Sequence, residues 1–184
     1  MTIANTSTDE TPRAWVGSLG AYNAGNLIGR WFDAVDCDDI TADDVYRGSG
    51  LCPDGDEELW VFDHENIPVS GEMSPYDAAE WGRTLAEVPD HQRAALCAWV
   101  RSGVYVAEGT GDLPSVSDFE ERYAGHWDGF AEYAHQLAED IGLLADVPEE
   151  VARYFDWAAW SRDLALDHTT EADADGGVHV FRSL

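Results

Sequence analysis

Residues 13–35 read RAWVGSLGAYNAGNLIGRWFDAV. Residues 13–18 alternate around Ala14, Trp15 and Val16 and predict a strand, and residues 30–35 predict a second. Gly17, Gly20, Gly25 and Gly29 punctuate the connection, which reads as a loop containing Tyr22 and Asn23. Further along, Thr41 can cap a short helix through Tyr46. Asp43 and Asp44 then fall in its first turn, where free N–H groups and the helix dipole favour negative charge. An acidic turn over 53–58 leads to a third strand candidate at 59–62. Together these predict a small sheet with one helix.

Helices dominate the remainder of the chain. Ser74 before Pro75 is a cap with proline at the first helical position, and the helix should reach about Leu85. Pro89 and Asp90 open another, with Leu96, Trp99 and Val100 on one side, ending near Gly103. Residues 104–107 are strand-like, and Ser115 caps a helix across Phe119 and Tyr123. The clearest helical period spans 128–141, where Phe130, Tyr133 or Ala134, Leu137 and Ile141 share an apolar face. Pro148 opens another helix, Trp157, Trp160 and Leu164 recur on a further one, and residues 179–181 form a last strand. The fold class is α+β, with mixed ends around a helical middle. Trp15, Trp31, Trp99, Trp157 and Trp160 are assigned to the core.

Charge narrows the function. The chain has 184 residues, 37 of them acidic and 10 basic, giving a net charge of -27; every basic residue is an arginine. Direct binding of nucleic acid is excluded as the natural reading, because it needs positive charge to release counterions. Attachment to an anionic membrane face is disfavoured for the same reason. The acids run through the whole chain, and 45% of residues are hydrophobic, so an acidic disordered tail does not fit either. No apolar run approaches the roughly 20 residues of a membrane span. Residues 1–11 read as a polar tail without signal-peptide character, and the expected compartment is the cytoplasm. Cys37, Cys52 and Cys97 are odd in number and far apart, and make no disulfide framework.

Catalytic and metal chemistry find no pattern. The early glycines are wrongly spaced for GxGxxG, and no GK[ST] occurs. None of His64, His91, His126, His135, His168 and His179 forms HExxH or sits near a cysteine in a zinc spacing. Asp36, Asp38, Asp54 and Asp56 invite a calcium reading, but no EF-hand loop pattern accompanies them. Carboxylate pairs are too numerous for any one to be selected as a glycosidase dyad. No enzyme activity, cofactor or metal is expected.

Carboxylates on a rigid body can instead stand in for phosphates. A DNA strand presents a charge about every 3.4 Å. Helix residues four and seven apart are separated by about 6 and 10.5 Å along the axis, so Asp128, Glu132 and Glu139 fall near multiples of that step. Adaptation to high salt also produces acid excess without lysine, and an acidic salt-adapted or chaperone-like protein for a basic partner is the alternative. Composition alone leaves these readings open.

Several stretches decide between them by resemblance. The first is Trp15-Val16-Gly17 followed by Tyr22-Asn23-Ala24-Gly25-Asn26-Leu27-Ile28-Gly29-Arg30-Trp31. The second is Asp63-His64-Glu65-Asn66-Ile67-Pro68. The third and fourth run together from Leu144 to Leu164, and the last is His179-Val180-Phe181-Arg182. In this order they resemble the ArdA family of DNA-mimic antirestriction proteins: its YNxG loop and G[KR]W segment, its acidic D-x-E-x-[IFL]-P turn, its antirestriction motif, its R-D-L segment and its HVF end. Residues 76–127 match mainly in helical and acidic character.

The resemblance implies an elongated chain of three small domains: 12–73, mixed α/β; 74–103, helical; and 104–184, mixed α/β and carrying the motif. It implies a bent homodimer that occupies the DNA-binding groove of a type I restriction-modification enzyme and blocks restriction, with modification as a second target. Mimic carboxylates are then expected among Asp33, Asp36, Asp43, Asp44, Glu57, Glu58, Asp77, Glu80, Glu87, Asp118, Glu120, Glu121, Asp128, Glu132, Glu139 and Asp140. The motif and dimer contact are expected at Leu144, Asp146, Val147, Pro148, Glu149, Glu150, Val151, Tyr154, Phe155 and Asp156. Read physically, that stretch is a capped amphipathic helix, with Arg153 paired to an acid.

Overall fold

Ser18 ends the first strand. In the computed structural model, which describes residues 11–53, 57–107 and 112–183, strand β1 (Arg13–Ser18) gives way to helix α1 (Leu19–Asn23). The Ser18 hydroxyl accepts the Ala21 N–H at 2.8 Å and caps that helix. The glycine-punctuated stretch expected as a loop thus contains a helix. At five residues it is too short to show a hydrophobic period.

Strands β2 (Gly29–Asp33) and β3 (Leu59–Glu65) flank β1 antiparallel, in the order β2-β1-β3. One face buries Ala14, Val16 and Val61 completely. On the other, the Trp15 indole lies over Gly17 and Gly29, where a Cβ would collide with its ring. Phe62 meets the same indole edge-on at 5.8 Å. β2 stops earlier than its sequence suggests because the chain enters a 3₁₀ helix (Ala34–Asp39), which buries Ala34 and Cys37 beneath α3 (Pro75–Glu87). Helix α2 (Ala42–Tyr46) begins with the anticipated cap at Thr41, and Asp44 returns the bond to the Thr41 N–H at 3.1 Å. Ser74 and Asp77 repeat this arrangement at α3.

By contact density the chain divides into two compact units, one up to Arg93 and one from Ala94. The core of the second is aromatic. On α4 (Asp90–Ser102) Trp99 is fully buried, 5.9 Å from Phe119 of α5 (Val116–Arg122). Phe119 stacks on Tyr123 at 5.2 Å and faces Phe181 at 6.4 Å. Tyr123 was expected within the helix but begins strand β4 (Tyr123–Trp127). It pairs with β6 (Val178–Arg182), which also pairs with β5 (His168–Ala172), in the order β4-β6-β5. β4 and β5 escaped the sequence pattern because each has only five residues and neither alternates apolar with polar side chains. The strand expected at 104–107 is a single bridge from Ala107 to Pro114.

Helix α6 (Phe130–Asp140) buries Tyr133, Ala134 and Ala138, while Ile141, expected on this face, caps the helix and is exposed. α8 (Trp157–Leu164) packs on α6, and its Trp160 indole donates to the Ala134 carbonyl at 3.2 Å. Of the five tryptophans assigned to the core only Trp99 is wholly enclosed; Trp15, Trp31, Trp157 and Trp160 are half-buried. Among the described residues, no helix is long and apolar enough to cross a membrane.

Candidate functional site

The structure sorts the candidate carboxylates by what already engages them. In the first unit Asp44 and Asp77 accept backbone N–H groups as reciprocal caps. The Thr41 hydroxyl, at 2.5 Å, and the Thr41 N–H hold the Asp44 carboxyl below its usual pKa. Asp33 lies 3.9 Å from Arg13, and Glu80 lies 3.3 Å from Arg83, which also pairs with Asp38. Glu57 accepts the Ser18 hydroxyl. By contrast, Asp36 on the 3₁₀ helix, Asp43 on α2, Glu58 before β3 and Glu87 at the end of α3 are not buried, and form no ion pair among the described residues. Burial, helped by Asp36, Asp38 and Asp33, pushes the Cys37 thiol up to about 12. That thiol stays protonated and unreactive.

The second unit repeats the division. Asp118 lies 3.9 Å from Arg122, Glu132 accepts the Asp128 N–H at 2.9 Å, and Asp140 accepts from Gln136 at 2.8 Å. Glu120, Glu121, Asp128 and Glu139 form no ion pair among the described residues, and none of them is buried. Asp39, Asp63, Glu65, Glu72 and Asp112 also reach solvent, although the sequence pattern does not mark them. Nothing in their spacing separates them from the marked carboxylates. Asp54 and Asp56 of the calcium reading lie outside the described residues.

The stretch 144–156 differs in character from both groups. Only one turn of it, α7 (Glu149–Ala152), is helical, rather than a full amphipathic helix. Leu144 and Val147 are half-buried, and Phe155 packs against Trp157 at 4.8 Å. Asp156 caps α8 by accepting the Ala159 N–H at 3.0 Å. Asp146, Pro148, Glu149, Glu150 and Val151 are exposed, and Tyr154 is 80% exposed. Arg153, expected beside an acid, forms no ion pair among the described residues. It donates to the Glu150 carbonyl at 3.0 Å, and its guanidinium lies over the Tyr154 ring.

Two other features could hold chemistry. A cavity of about 530 Å³ is lined by Ala21, Asn23, Tyr46, Leu51, Cys52 and Glu58, among others. In the second unit Asp173 lies 3.1 Å from His126 and 3.6 Å from His179. Burial outweighs Asp173 and, with help from His126 and Arg101, lowers the His179 pKa. Among the described residues, no group of three or more His, Cys, Asp or Glu side chains is arranged to hold a metal ion.

Fold and surface define a class: a mixed α/β chain with a strongly acidic surface that its arginines only partly neutralise. Comparison with known families matches residues 14–179 of the 184 to the family described as Antirestriction protein (ArdA), and the chain belongs to that family. Its members are inhibitors rather than enzymes, and membership implies interaction with restriction-modification enzymes. No curated protein matches the chain.

Proposed function

We propose that this antirestriction protein is a DNA mimic. Its exposed carboxylates take the place of phosphates in the DNA-binding groove of a type I restriction-modification enzyme, and they block restriction of incoming mobile DNA and, at the same groove, modification. The observation that carries the reading is the set of solvent-facing acids without ion pairs among the described residues, found in both units: Asp36, Asp43, Glu58 and Glu87 in the first, Glu120, Glu121, Asp128 and Glu139 in the second. Such a surface steers a basic groove towards it and, like DNA, releases its own condensed cations on binding. The acids engaged in caps and ion pairs contribute to the field but hold the fold first. A cytoplasmic location and the three-part division at 12–73, 74–103 and 104–184 belong to the same proposal.

The active form is a homodimer joined through residues 144–156. Exposed apolar side chains support this, with Tyr154 at 80%, Val151 at 58% and Ile141 at 57% beside or within the motif. The test is displacement. Purified protein is titrated into a type I enzyme bound to labelled target DNA, with an unrelated basic protein as a second acceptor. Release of DNA near stoichiometry is the expected result. No release, or equal binding to any basic protein, would replace mimicry by the chaperone-like reading.

A further inference from the structure

A sheet face left to solvent is ordinarily polar. The outer face of β2-β1-β3 is aromatic. Ala14, Val16 and Val61 occupy the inner face, and residues directly opposite across an antiparallel pair share a face. The register therefore places Trp15, Trp31 and Trp60 together on the outer one. Phe62, where the pairing of β3 shifts, meets Trp15 edge-on, and the Tyr22 ring lies 4.8 Å from Phe62. Trp15, Trp31, Trp60 and Phe62 are only half-buried, and Tyr22 is 51% exposed. Carboxylates edge the same face. Asp33 and Glu65 stand opposite Arg13, Asp63 stands opposite Trp15, and Glu72 accepts the Trp60 indole N–H at 3.1 Å. All four are exposed, and Asp63, Glu65 and Glu72 form no ion pair among the described residues. Phosphate mimicry gives the rings of this face no role.

The chain itself shows what such a face holds. The Arg13 guanidinium lies 5.9 Å over the Trp31 ring and 3.9 Å from Asp33. We propose that the outer face of β2-β1-β3 docks further arginine side chains, presented by the restriction enzyme. Their planar guanidinium groups lie on the rings of Trp31, Trp60 and Tyr22 and donate to Asp63, Glu65 and Glu72. Arginine fits better than lysine because its flat, weakly hydrated head stacks on rings and forks onto carboxylates. The net charge of -27 opposes a second copy, a nucleic acid or an anionic membrane on the same face. This contact rests on the restriction enzyme being the partner, and it adds to phosphate mimicry an interaction that phosphates do not make. It also resists salt better than the exposed carboxylates do, because rings and guanidinium groups in contact are screened less than charges apart.

Two titrations test the docking face, with thermal unfolding as a control of folding. In the first, the full chain displaces labelled DNA from a type I enzyme at about 0.15 M and about 0.5 M salt. Tyr22→Ser and Trp31→Thr should each raise the concentration needed by about two- to fivefold, and by a similar factor at both salts. The pair together should raise it by about tenfold or more, while Trp31→Phe, which keeps a ring, should stay near native. If Trp31→Thr unfolds, Tyr22→Ser decides, since that ring is half exposed already. In the second, a hexa-arginine peptide should bind the native chain about threefold or more tighter than hexa-lysine, and the Tyr22→Ser/Trp31→Thr chain should lose that preference. If the native chain displaces DNA and the folded ring variants do so equally well, the docking face alone is wrong. If the native chain displaces no DNA, the proposed function falls and the peptides decide the face. Equal binding of the two peptides by the native chain would overturn it.

Discussion

Gly82 offers a sharp test of how the first unit is built. On α3 it is buried against the 3₁₀ helix 34–39, with no side chain between the two backbones. A Cβ there would lie 2.8 Å from the Ala34 carbonyl carbon and from the Val35 Cα, and nearer still to the Val35 nitrogen. Carbon atoms in optimal contact sit about 3.5–4.0 Å apart, so Gly82→Ala must push the helices apart by roughly 0.7 Å or more. Ala34, Cys37, Ala78 and Leu85 around the contact are all fully buried, and a gap of that size forfeits a quarter to a half of each contact's attraction. Overpacking of this kind costs about 1–3 kcal/mol. Against it, alanine is a better helix former than glycine by about 1 kcal/mol. The clash wins, because the atoms in the way are backbone and cannot rotate aside.

Backbone atoms at 2.8 Å and nearer place the clash in the upper part of that range, about 2–3 kcal/mol, so the expected net loss is about 1–2 kcal/mol, or roughly 5–15 °C in Tm for a unit of this size. Thermal unfolding of Gly82→Ala measures it. Ala86→Gly, at an exposed position of the same helix, isolates the propensity term and should cost about 1 kcal/mol. If Gly82→Ala proved as stable as the native chain, or more stable, the close approach of these two helices would be refuted.

Three further outcomes rest on particular contacts. His179 has a folded pKa below its ordinary 6.5, so the folded chain holds it neutral while the unfolded chain takes up a proton. Its contribution to stability is therefore complete above pH 6.5 and is lost as pH falls towards the folded value; Tm of His179→Gln should vary less with pH in that range. Ser74→Ala removes the cap of α3 and should cost about 1 kcal/mol in urea unfolding, with no comparable loss for an exposed serine such as Ser183. Single amide substitutions at Asp36, Asp43, Glu58 or Glu87 should each leave DNA displacement nearly intact, whereas all four together should weaken it by about tenfold or more. Abolition by one of them would instead point to a local hot spot.

The legible parts of the sequence were those with local chemistry. Thr41 announced its helix as a capping hydroxyl with acids in the first turn, and Ser74 as a cap before proline, signals local to the chain itself. The Ala14–Val16 alternation placed β1, and the period of 128–141 placed α6. What escaped was set by distant partners. β5, His168–Ala172, has no apolar alternation and is a strand because β6 pairs with it. Trp15 reads as a core residue, yet it covers a glycine pair on one face of the sheet, a role that depends on Gly29 standing opposite Gly17. The candidate surface was legible as composition but not as a set. Asp44 and Asp43 are neighbours in sequence, yet one is a cap and the other forms no ion pair among the described residues. The motif residues were named by resemblance, but the hollow that Leu144 lines with Ala138, Gly142 and Ala145 depends on how the chain turns after α6.

Salt separates the two origins of the acid excess, because the same charges enter two equilibria with opposite signs. Within the chain, 37 carboxylates against ten arginines repel one another, so screening should stabilise the fold. Most of this gain should appear as the Debye length shrinks from about 30 Å at 0.01 M to about 8 Å at 0.15 M, since repulsion between exposed acids on separate elements acts over that range. Between chain and enzyme the acids attract, so screening should weaken the complex across the same interval. Tm must therefore rise with salt while affinity for the restriction enzyme falls, both in one buffer series. Adaptation to salt without mimicry gives the first slope alone. A complex whose affinity is flat or rises with salt would show that the acids serve the fold's environment and not the DNA-binding groove.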